Sequence, residues 1–162
     1  MWYRAPHGEK WVWLLLKTAL FVCVHNAGRS QMAEAFVNHY ARAGGLDVVG
    51  VSAGTVAGTQ INPVAVAVMN ELGISMEGQS PKQLTQELAD SADRKITMGC
   101  GVDSSACPAR IFFTEDWGLD DPKGQPIEKV REIRDQIKER VEKLLTELAV
   151  ACLPASRRRT RR

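Results

Sequence analysis

Hydrophobic residues are distributed along this sequence in two alternating patterns. Short runs rich in apolar and β-branched residues, typical of strands buried in a sheet, occur at residues 19–22, 47–52, 94–98 and 109–113. Apolar stripes with helical spacing occur between and after them, at residues 30–43, 62–72, 80–88 and 126–148. Strands that alternate with helices predict an α/β fold, with a four-stranded parallel sheet flanked by helices in three layers.

Several residues mark where these helices begin and end. We expect Ser30 to cap the first helix, and the pair Gly44-Gly45 ends it. Asn62 is expected to cap the second helix, with Pro63 in its first turn, and Gly73 ends it. The buried stripe of the last helix is expected to consist of Ile127, Val130, Ile133, Ile137, Val141, Leu144, Leu145 and Leu148.

A cysteine and an arginine separated by five residues, Cys23 and Arg29, stand between the first strand and the first helix. A strand, a short loop and a helix N-terminus form an anion-binding nest of backbone N–H groups. Arg29 can bind a tetrahedral oxyanion through two parallel hydrogen bonds, and the same field favours the thiolate of Cys23. We therefore expect Cys23 to attack phosphorus or arsenic; the alternative is a small buried residue at a strand end. The expected oxyanion-binding residues are Val24, His25, Asn26, Ala27, Gly28 and Arg29.

Two more cysteines lie near the end of the third predicted strand, where ligands of parallel sheets bind. Cys100 stands between two glycines, which permit its backbone to move, and Cys107 follows seven residues later. A metal site is disfavoured, because the pair lacks the short ligand spacing and no histidine is near. Either these are unrelated loop thiols, or Cys100 attacks a covalent sulfur adduct and Cys107 then resolves the disulfide.

An acidic pair, Asp120-Asp121, follows the fourth predicted strand and precedes Pro122. A carboxyl group placed over the nucleophile could protonate a leaving oxygen. The alternative is that this segment is an ordinary turn, since Asp and Pro are frequent turn residues.

Composition and charge narrow the function classes. The chain has 162 residues, of which 44% are hydrophobic and 25% charged, as expected for one globular domain. The net charge is +2, but five of the 21 basic residues are arginines in the last six positions; the rest of the chain is slightly acidic, so a nucleic-acid partner is not expected. Four cysteines without paired secretory spacing indicate a reducing compartment, and we expect a cytoplasmic monomer.

The two ends of the chain lie outside the predicted domain. Residues 1–16 are interpreted as an extension or a mis-assigned start, residues 17–150 as a single catalytic domain, and residues 151–162 as a disordered basic tail. The apolar run at residues 11–16 is too short for a membrane helix. A lipoprotein signal that ends at Cys23 is disfavoured, because Val22 is not a small residue.

Taken together, five segments resemble one enzyme family. They are residues 23–34, 51–55 and 62–63, the pair Cys100 and Cys107, and residues 117–122. In this order they are similar to the thioredoxin-coupled arsenate reductases built on the low-molecular-weight protein tyrosine phosphatase fold. The resemblance covers approximately residues 17–149.

The resemblance implies a mechanism with no bound cofactor or metal. Cys23 attacks arsenate held by the loop amides and Arg29, and Asp121 protonates the departing oxygen. Cys100 then attacks the sulfur of Cys23, which releases arsenite and leaves a Cys23–Cys100 disulfide. Cys107 displaces Cys23, and thioredoxin reduces the resulting Cys100–Cys107 disulfide.

Other matched residues are expected to support the loop. Ser30 is placed to donate a hydrogen bond to the Cys23 thiolate, and Asn26 is expected to fix the loop conformation. Some relatives bind a structural potassium ion through Asn, Glu, Ser and Asp. Here Asn26 matches, as do Glu34 and Ser52, but Lys82 falls at the Asp position. We expect the Lys82 ammonium to replace that cation and to pair with Glu34.

Two departures and two alternatives remain open. His25 stands where many relatives have Gly, and Gly28 stands where they have a second Cys; we expect a rim or packing role for His25.

The second functional hypothesis is a low-molecular-weight phosphatase, but Lys123-Gly124 replace the aromatic residues expected after its Asp-Pro. Weak residual phosphatase activity is expected in either case. A third is an arsenic- or redox-sensing protein, which no DNA-binding helix pair supports.

Overall fold

The computed structural model describes residues 16–99 and 111–151. Cys100 and Cys107 therefore lie outside the described residues, as do residues 1–15 and 152–162. The strands are β1 (Lys17–Cys23), β2 (Val48–Gly54), β3 (Arg94–Thr97) and β4 (Glu115–Asp116). The helices are α1 (Arg29–Gly44), α2 (Pro63–Asn70), α3 (Gln86–Ser91) and α4 (Ile127–Ala151).

The four strands form one parallel sheet with the order β2-β1-β3-β4. Strand β1 is central, and its side chains alternate between the two faces of the sheet. Phe21 and Cys23 belong to the larger core cluster, which includes buried residues of α1, α2 and α4. Leu20 and Val22 belong to a smaller cluster with Leu84 and residues of α3. This arrangement confirms the predicted three-layer α/β fold.

Helix α4 packs against α1 and α2 and contributes its apolar side to the larger core cluster. Its predicted buried stripe is correct for seven of the eight residues, and Ile127 is partly buried against the same cluster. Helix α2 begins as expected, because the side chain of Asn62 accepts a hydrogen bond from the N–H of Val64 and Pro63 is the first helical residue. Gly45 ends α1 in a left-handed conformation with φ 61°.

Two element predictions are wrong. No helix begins at residues 80–81: α3 begins at Gln86, where the side chain of Thr85 caps it. The backbone of residues 82–84 instead pairs with Gly54, which donates to the carbonyl of Lys82 and accepts from the N–H of Leu84. This pairing extends the sheet beyond β2 and connects residues far apart in sequence, so a local pattern could not reveal it.

The fourth strand also lies elsewhere. Residues 109–110 are outside the described part, and residues 111–113 are not in a strand; β4 is limited to Glu115–Asp116, which pair with Ile96 and Thr97. Ile111 and Phe113 are partly buried and pack against the smaller core cluster. Their hydrophobicity therefore reflects burial on one face of the sheet and not strand pairing.

Candidate active site

The loop between β1 and α1 has its carbonyl groups directed outwards. Each carbonyl from Cys23 to Gly28 accepts a hydrogen bond from a donor outside this segment. The donors are the N–H groups of Thr55 to Cys23 (3.1 Å), Val56 to Val24 (2.9 Å), Gly58 to His25 (2.8 Å), Asn62 to Ala27 (2.7 Å) and Met32 to Gly28 (3.0 Å), and Nε2 of Gln31 to Asn26 (3.0 Å). In a trans peptide the N–H points opposite to the C=O, so the N–H groups of residues 24–29 face the opposite, inner side.

The sulfur of Cys23 lies on that inner side. The N–H of Asn26 donates to Sγ of Cys23 at 3.1 Å, and Sγ lies 2.9 Å from Oγ of Ser30. Cys23 is 4% exposed and also lines the cavity above the loop. This segment (residues 23–29, the oxyanion loop) therefore has the geometry of an anion-binding nest with a thiol at its base.

The hydrogen-bond network fixes which atom donates to the thiol. The backbone N–H of Lys82 donates to Oδ1 of Asn26 at 2.8 Å, so the other end of this amide is Nδ2. Nδ2 of Asn26 donates to Oγ of Ser30 at 2.8 Å. Oγ therefore accepts from Asn26, and its own hydrogen is free to point at Sγ of Cys23. This is the geometry that stabilises a thiolate.

Ser30 does not cap α1, contrary to our expectation. The N-cap residue is Gly28, so no side chain caps this helix, and Ser30 lies within the first turn. Its hydroxyl is occupied by Cys23 and Asn26 and is fully buried. A serine near a helix N-terminus usually caps the helix through its hydroxyl. Here the hydroxyl contacts the Cys23 sulfur and the Asn26 amide instead.

Gln31 is a functional candidate that the sequence analysis missed. It is fully buried, and its Nε2 lies within 3.0 Å of the main-chain O and the Oδ1 of Asn26 and the O of Ser80. Its Oε1 accepts from Nε2 of Gln79 at 2.8 Å. Asn26 has φ 52°, a left-handed conformation that Asn tolerates better than most residues. The only available signal was a glutamine on the buried side of the first helical turn.

Arg29 is oriented by main-chain carbonyls at the ends of other elements. It is 6% exposed, and its Nη1 donates to the carbonyls of Met98 (3.1 Å) and Leu119 (2.5 Å). Its Nη2 lies 3.8 Å from Oδ2 of Asp121. The guanidinium is thus fixed between the segments that follow β3 and β4, and it also lines the cavity.

The two aspartates of the acidic pair have different partners. Asp120 forms an ion pair with Lys129 of α4 (3.0 Å), whereas Asp121 faces Arg29. The Oδ1 of Asp121 also accepts from the N–H of Lys123 at 2.9 Å, so the segment is a turn as well. The carboxyl of Asp121 is therefore the one directed towards the oxyanion loop.

Above the loop is a cavity of about 760 Å³. One wall is formed by residues 60–63 and the other by residues 119–124, and Gly99 also contributes. His25 lines its rim, exposed, with Nδ1 3.1 Å from the carbonyl of Val56. Because a carbonyl can only accept, Nδ1 carries the hydrogen. The cavity gives a tetrahedral oxyanion access to Cys23.

On the other side of the loop, Lys82 is paired with Glu34. Its Nζ lies 3.1 Å from Oε2 of Glu34 and 3.4 Å from the carbonyl of Ser80. Ser52 donates to the same carboxylate oxygen. The side chain of Glu34 is only 13% exposed, and the ammonium supplies the charge that compensates it. Within residues 16–99 and 111–151 there is no group of three or more His, Cys, Asp or Glu side chains that could hold a metal ion.

The carboxylate of Asp116, at the end of β4, forms hydrogen bonds with groups at the end of β3 and with the segment after β4. Oδ1 of Asp116 accepts from the N–H of Gly118 at 3.1 Å. That hydrogen bond, with contributions from the Thr97 hydroxyl and the N–H of Gly99, holds the pKa of Asp116 below its ordinary value. Gly99 and Gly118 are in close backbone contact: a Cβ on Gly99 would lie 2.4 Å from Cα of Gly118. The position directly before Cys100 is thereby fixed at the edge of the cavity.

Comparison with known proteins agrees with this geometry. Residues 18–152 match the family model described as low molecular weight phosphotyrosine protein phosphatase. This chain belongs to that family. Several curated relatives are named arsenate reductase, among them a glutaredoxin arsenate reductase of Synechocystis, 37% identical over 135 residues that span 83% of this chain and 100% of that protein.

Solved structures of the family include both reductases and phosphatases. A thioredoxin-dependent arsenate reductase of Corynebacterium glutamicum is 33% identical with a TM-score of 0.67, over 84% of this chain and 63% of that one. The YwlE arginine phosphatase of Geobacillus stearothermophilus is 28% identical with a TM-score of 0.67, over 82% and 92%. The resemblance predicted from the sequence is confirmed at the level of family and fold. Among the described residues, no helix has the length and apolar character needed to cross a bilayer.

Proposed function

We propose that this protein reduces arsenate to arsenite through a covalent adduct on Cys23. The observation that carries the proposal is that Cys23, its loop, Arg29 and Asp121 line one cavity, with Arg29 facing Asp121 and a loop N–H bonded to the Cys23 sulfur. The N–H groups and Arg29 would bind the tetrahedral oxyanion, which resembles phosphate in charge and shape. Sγ of Cys23 attacks arsenic, and Asp121 donates a proton to the oxygen that leaves as water.

The reduction step needs a second thiol. Cys100 attacks Sγ of Cys23, the S–As bond breaks, and its electron pair stays on arsenic, which leaves as arsenite. Two electrons thus pass from two thiols to arsenic, and a Cys23–Cys100 disulfide forms. Cys107 then displaces Cys23 to give a Cys100–Cys107 disulfide. Support comes from Gly99, the residue directly before Cys100, which lines the same cavity as Cys23.

We further propose thioredoxin as the electron donor, in the cytoplasm, where thiols are kept reduced. Two cysteines beyond the nucleophile provide an intramolecular disulfide that a dithiol protein can reduce. The Corynebacterium relative is named as thioredoxin-dependent and the Synechocystis relative as a glutaredoxin enzyme, so the donor needs a direct test. No bound cofactor is required by this chemistry.

A second candidate is phosphoester hydrolysis through a cysteinyl phosphate. The family description and the arginine phosphatase among the solved structures favour it. The same loop, Arg29 and Asp121 would serve both reactions, because phosphate and arsenate have the same shape and charge. Cys100 and Cys107 would then have no part in turnover.

The test is arsenate-dependent NADPH consumption with thioredoxin and thioredoxin reductase. The wild type is compared with Cys23→Ser, Cys100→Ser and Cys107→Ser, and a parallel assay follows hydrolysis of para-nitrophenyl phosphate. For a reductase, all three variants lose arsenate turnover, whereas only Cys23→Ser loses hydrolysis. A wild type that hydrolyses the ester but consumes no NADPH with arsenate, whether thioredoxin or glutaredoxin with glutathione is supplied, is a phosphatase. Replacing thioredoxin by glutaredoxin and glutathione identifies the donor.

A further inference from the structure

The guanidinium of Arg29 is held by two main-chain carbonyls, and the Asp116 carboxylate joins the segments that carry them. Nη1 of Arg29 donates to the carbonyl of Met98, after β3, and to the carbonyl of Leu119, after β4. The N–H of Leu119 also donates to the carbonyl of Met98 at 3.1 Å. The direction of the guanidinium therefore depends on where these two carbonyls lie.

Asp116 accepts hydrogen bonds from peptide groups next to both carbonyls. Its Oδ1 accepts from the N–H of Gly118 at 3.1 Å, and its carboxylate has a weaker hydrogen bond with the N–H of Gly99. The N–H of Gly99 and the carbonyl of Met98 belong to one planar peptide group. Asp116 and Arg29 thus bind opposite ends of the same unit, and hydrogen bonds linked in this way strengthen one another.

The two glycines that donate to Asp116 are both in left-handed conformations. Gly99 has φ 75° and Gly118 has φ 54°. Glycine populates negative φ about as readily, so these conformations are selected by hydrogen bonds and not by a side chain. Main-chain hydrogen bonds hold the residues on either side of Gly118, whereas its own N–H has Asp116 as its partner. The carboxylate is therefore the group that selects the conformation at this point.

A second arginine anchors the same arrangement from α4. Nη1 of Arg140 donates to the carbonyl of Trp117, which shares a peptide group with the N–H of Gly118. Asp116 binds one end of this peptide group and Arg140 binds the other, and the two charges attract each other. From Asp116, one peptide group thus leads to Arg140 on α4 and another leads to Arg29 in the cavity.

We propose that Asp116 is a positioning residue for Arg29, acting through the peptide groups of Gly99 and Gly118. Its carboxylate holds the segments whose carbonyls receive Nη1 and thereby keeps the guanidinium directed into the cavity. This inference rests on the proposed role of Arg29 as a ligand of the oxyanion. It applies to arsenate and phosphate alike and involves neither Cys100 nor Cys107.

The test measures anion binding without turnover. Uncharged iodoacetamide alkylates Cys23, inorganic phosphate in the oxyanion loop protects the thiol, and peptide mass spectrometry follows the modification of Cys23. Asp116→Asn turns one acceptor oxygen into a donor, so two N–H groups no longer face two acceptors. We expect the phosphate concentration for half-protection to rise by about threefold to tenfold, the effect of one lost hydrogen bond. The alkylation rate without phosphate should not change.

Iodoacetate supplies a second measure of the same binding. Both reagents need the thiolate of Cys23, but only iodoacetate carries a carboxylate that a correctly placed Arg29 attracts. The ratio of the iodoacetate rate to the iodoacetamide rate should therefore fall in Asp116→Asn. A purely structural role for Asp116 would leave this ratio unchanged.

Asp93→Asn is the matched control for loss of stability. Asp93 also accepts a main-chain N–H, that of Thr18 at 2.8 Å, but it lies at the amino end of β3, opposite the cavity. Its substitution should lower the melting temperature without changing protection by phosphate. All rates are measured well below the melting temperatures of the variants.

Arg140→Met tests the same arrangement from α4 and leaves Asp116 in place. It should weaken protection by phosphate in the same direction as Asp116→Asn, because the peptide group of Gly118 loses its second partner. Lys143→Met is its control, since Lys143 lines the same crevice beside Trp117 and should have no effect on protection.

An Arg29→Lys background shows whether the effect passes through Arg29. Lysine keeps the charge but lacks the planar fork that binds two carbonyls and an anion together. Asp116→Asn should therefore cause no further loss of protection in this background.

Several results would overturn the proposal. Unchanged protection in Asp116→Asn would show that Arg29 keeps its orientation unaided. Additive losses with Arg29→Lys, an equal loss in Asp93→Asn, or slower alkylation without phosphate would mean that the substitution damages the loop or the fold. The assay needs no turnover, so a protected wild type that reduces no arsenate refutes the proposed function alone. A wild type that phosphate does not protect would overturn the role of Asp116 together with that of Arg29.

Discussion

The sulfur of Cys23 lies 2.9 Å from the hydroxyl oxygen of Ser30, and that hydroxyl is placed to donate its hydrogen to the sulfur. Nδ2 of Asn26 donates to the same oxygen, and the orientation of the Asn26 amide is determined by the N–H of Lys82. The main-chain N–H of Lys82 thus orients the amide of Asn26, and that amide in turn leaves the hydroxyl hydrogen of Ser30 for the Cys23 sulfur to accept. An accepting sulfur is favoured as a thiolate, the form that attacks an oxyanion.

Removing this donor should make the thiol less reactive at neutral pH. A hydrogen bond to a charged group contributes about 1.5–3 kcal/mol. We therefore expect Ser30→Ala to slow iodoacetamide alkylation of Cys23 by about tenfold to a hundredfold. Ser30→Thr keeps an Oγ and serves as the control. An alkylation profile in Ser30→Ala identical to that of the wild type would contradict this role.

Gln31 should matter for the stability of the loop although it does not line the cavity. Gln31→Met keeps the length of the side chain but leaves the buried carbonyl of Asn26 without its donor. It also removes the bonds to the carbonyl of Ser80 and from the amide of Gln79, which keeps its bond to the main-chain O of Gln31. A buried group left unpaired costs about 1–3 kcal/mol, so we expect the free energy of unfolding in urea to fall by about that amount and binding of inorganic phosphate to weaken. A stable variant with undiminished phosphate binding would show that Asn26 holds its conformation unaided.

Lys82 should make the enzyme independent of potassium. The ammonium already neutralises the partly buried carboxylate of Glu34, so exchanging potassium for choline should leave wild-type activity and melting temperature unchanged. In Lys82→Met that carboxylate loses its cation, and we expect a loss of about 1 kcal/mol for this partly exposed pair. Potassium should restore part of that loss. Lys143→Met, at an exposed position on α4, is the control. Strong activation of the wild type by potassium would refute this prediction.

Asp116 should stabilise the fold only above acidic pH. The N–H of Gly118, foremost among its partners, lowers the pKa of this carboxyl from the usual 3.8. A depressed pKa adds stability above the unfolded value, and that stability disappears as the pH falls through the folded value. Asp116→Asn should therefore melt below the wild type at pH 7, and the gap should narrow below about pH 3.8. Asp47→Asn, an exposed control, should melt like the wild type at both pH values. A gap that is constant with pH would refute the charge-dependent role.

The predictable part of this protein is the part in which neighbours in sequence are neighbours in space. Strand β1, the oxyanion loop and the start of α1 follow from one continuous segment, so Cys23 and Arg29 could be identified from spacing and context alone. Asn62 and Pro63 were correct for the same reason, since a helix cap is a local feature.

The parts that failed depend on distant partners. Residues 82–84 pair with Gly54, and Gln79 reaches Gln31 across 48 residues. No periodicity within residues 75–90 indicates either contact. The contact of Gly28 with Pro122 joins two loops in the same way, and it became evident only once the three-dimensional arrangement was known.

The outward carbonyls of the oxyanion loop have a consequence for how the anion is selected. Four of them are bonded to main-chain N–H groups of residues 55–62, so the nest has its shape before any ligand arrives. The entropy cost of ordering the loop arises when the protein folds, so it does not reduce the free energy of anion binding. A rigid ring of this kind admits ions by radius and geometry. Substitutions between β2 and α2 should therefore alter which tetrahedral ions are accepted, although these residues bond the loop from its outer side.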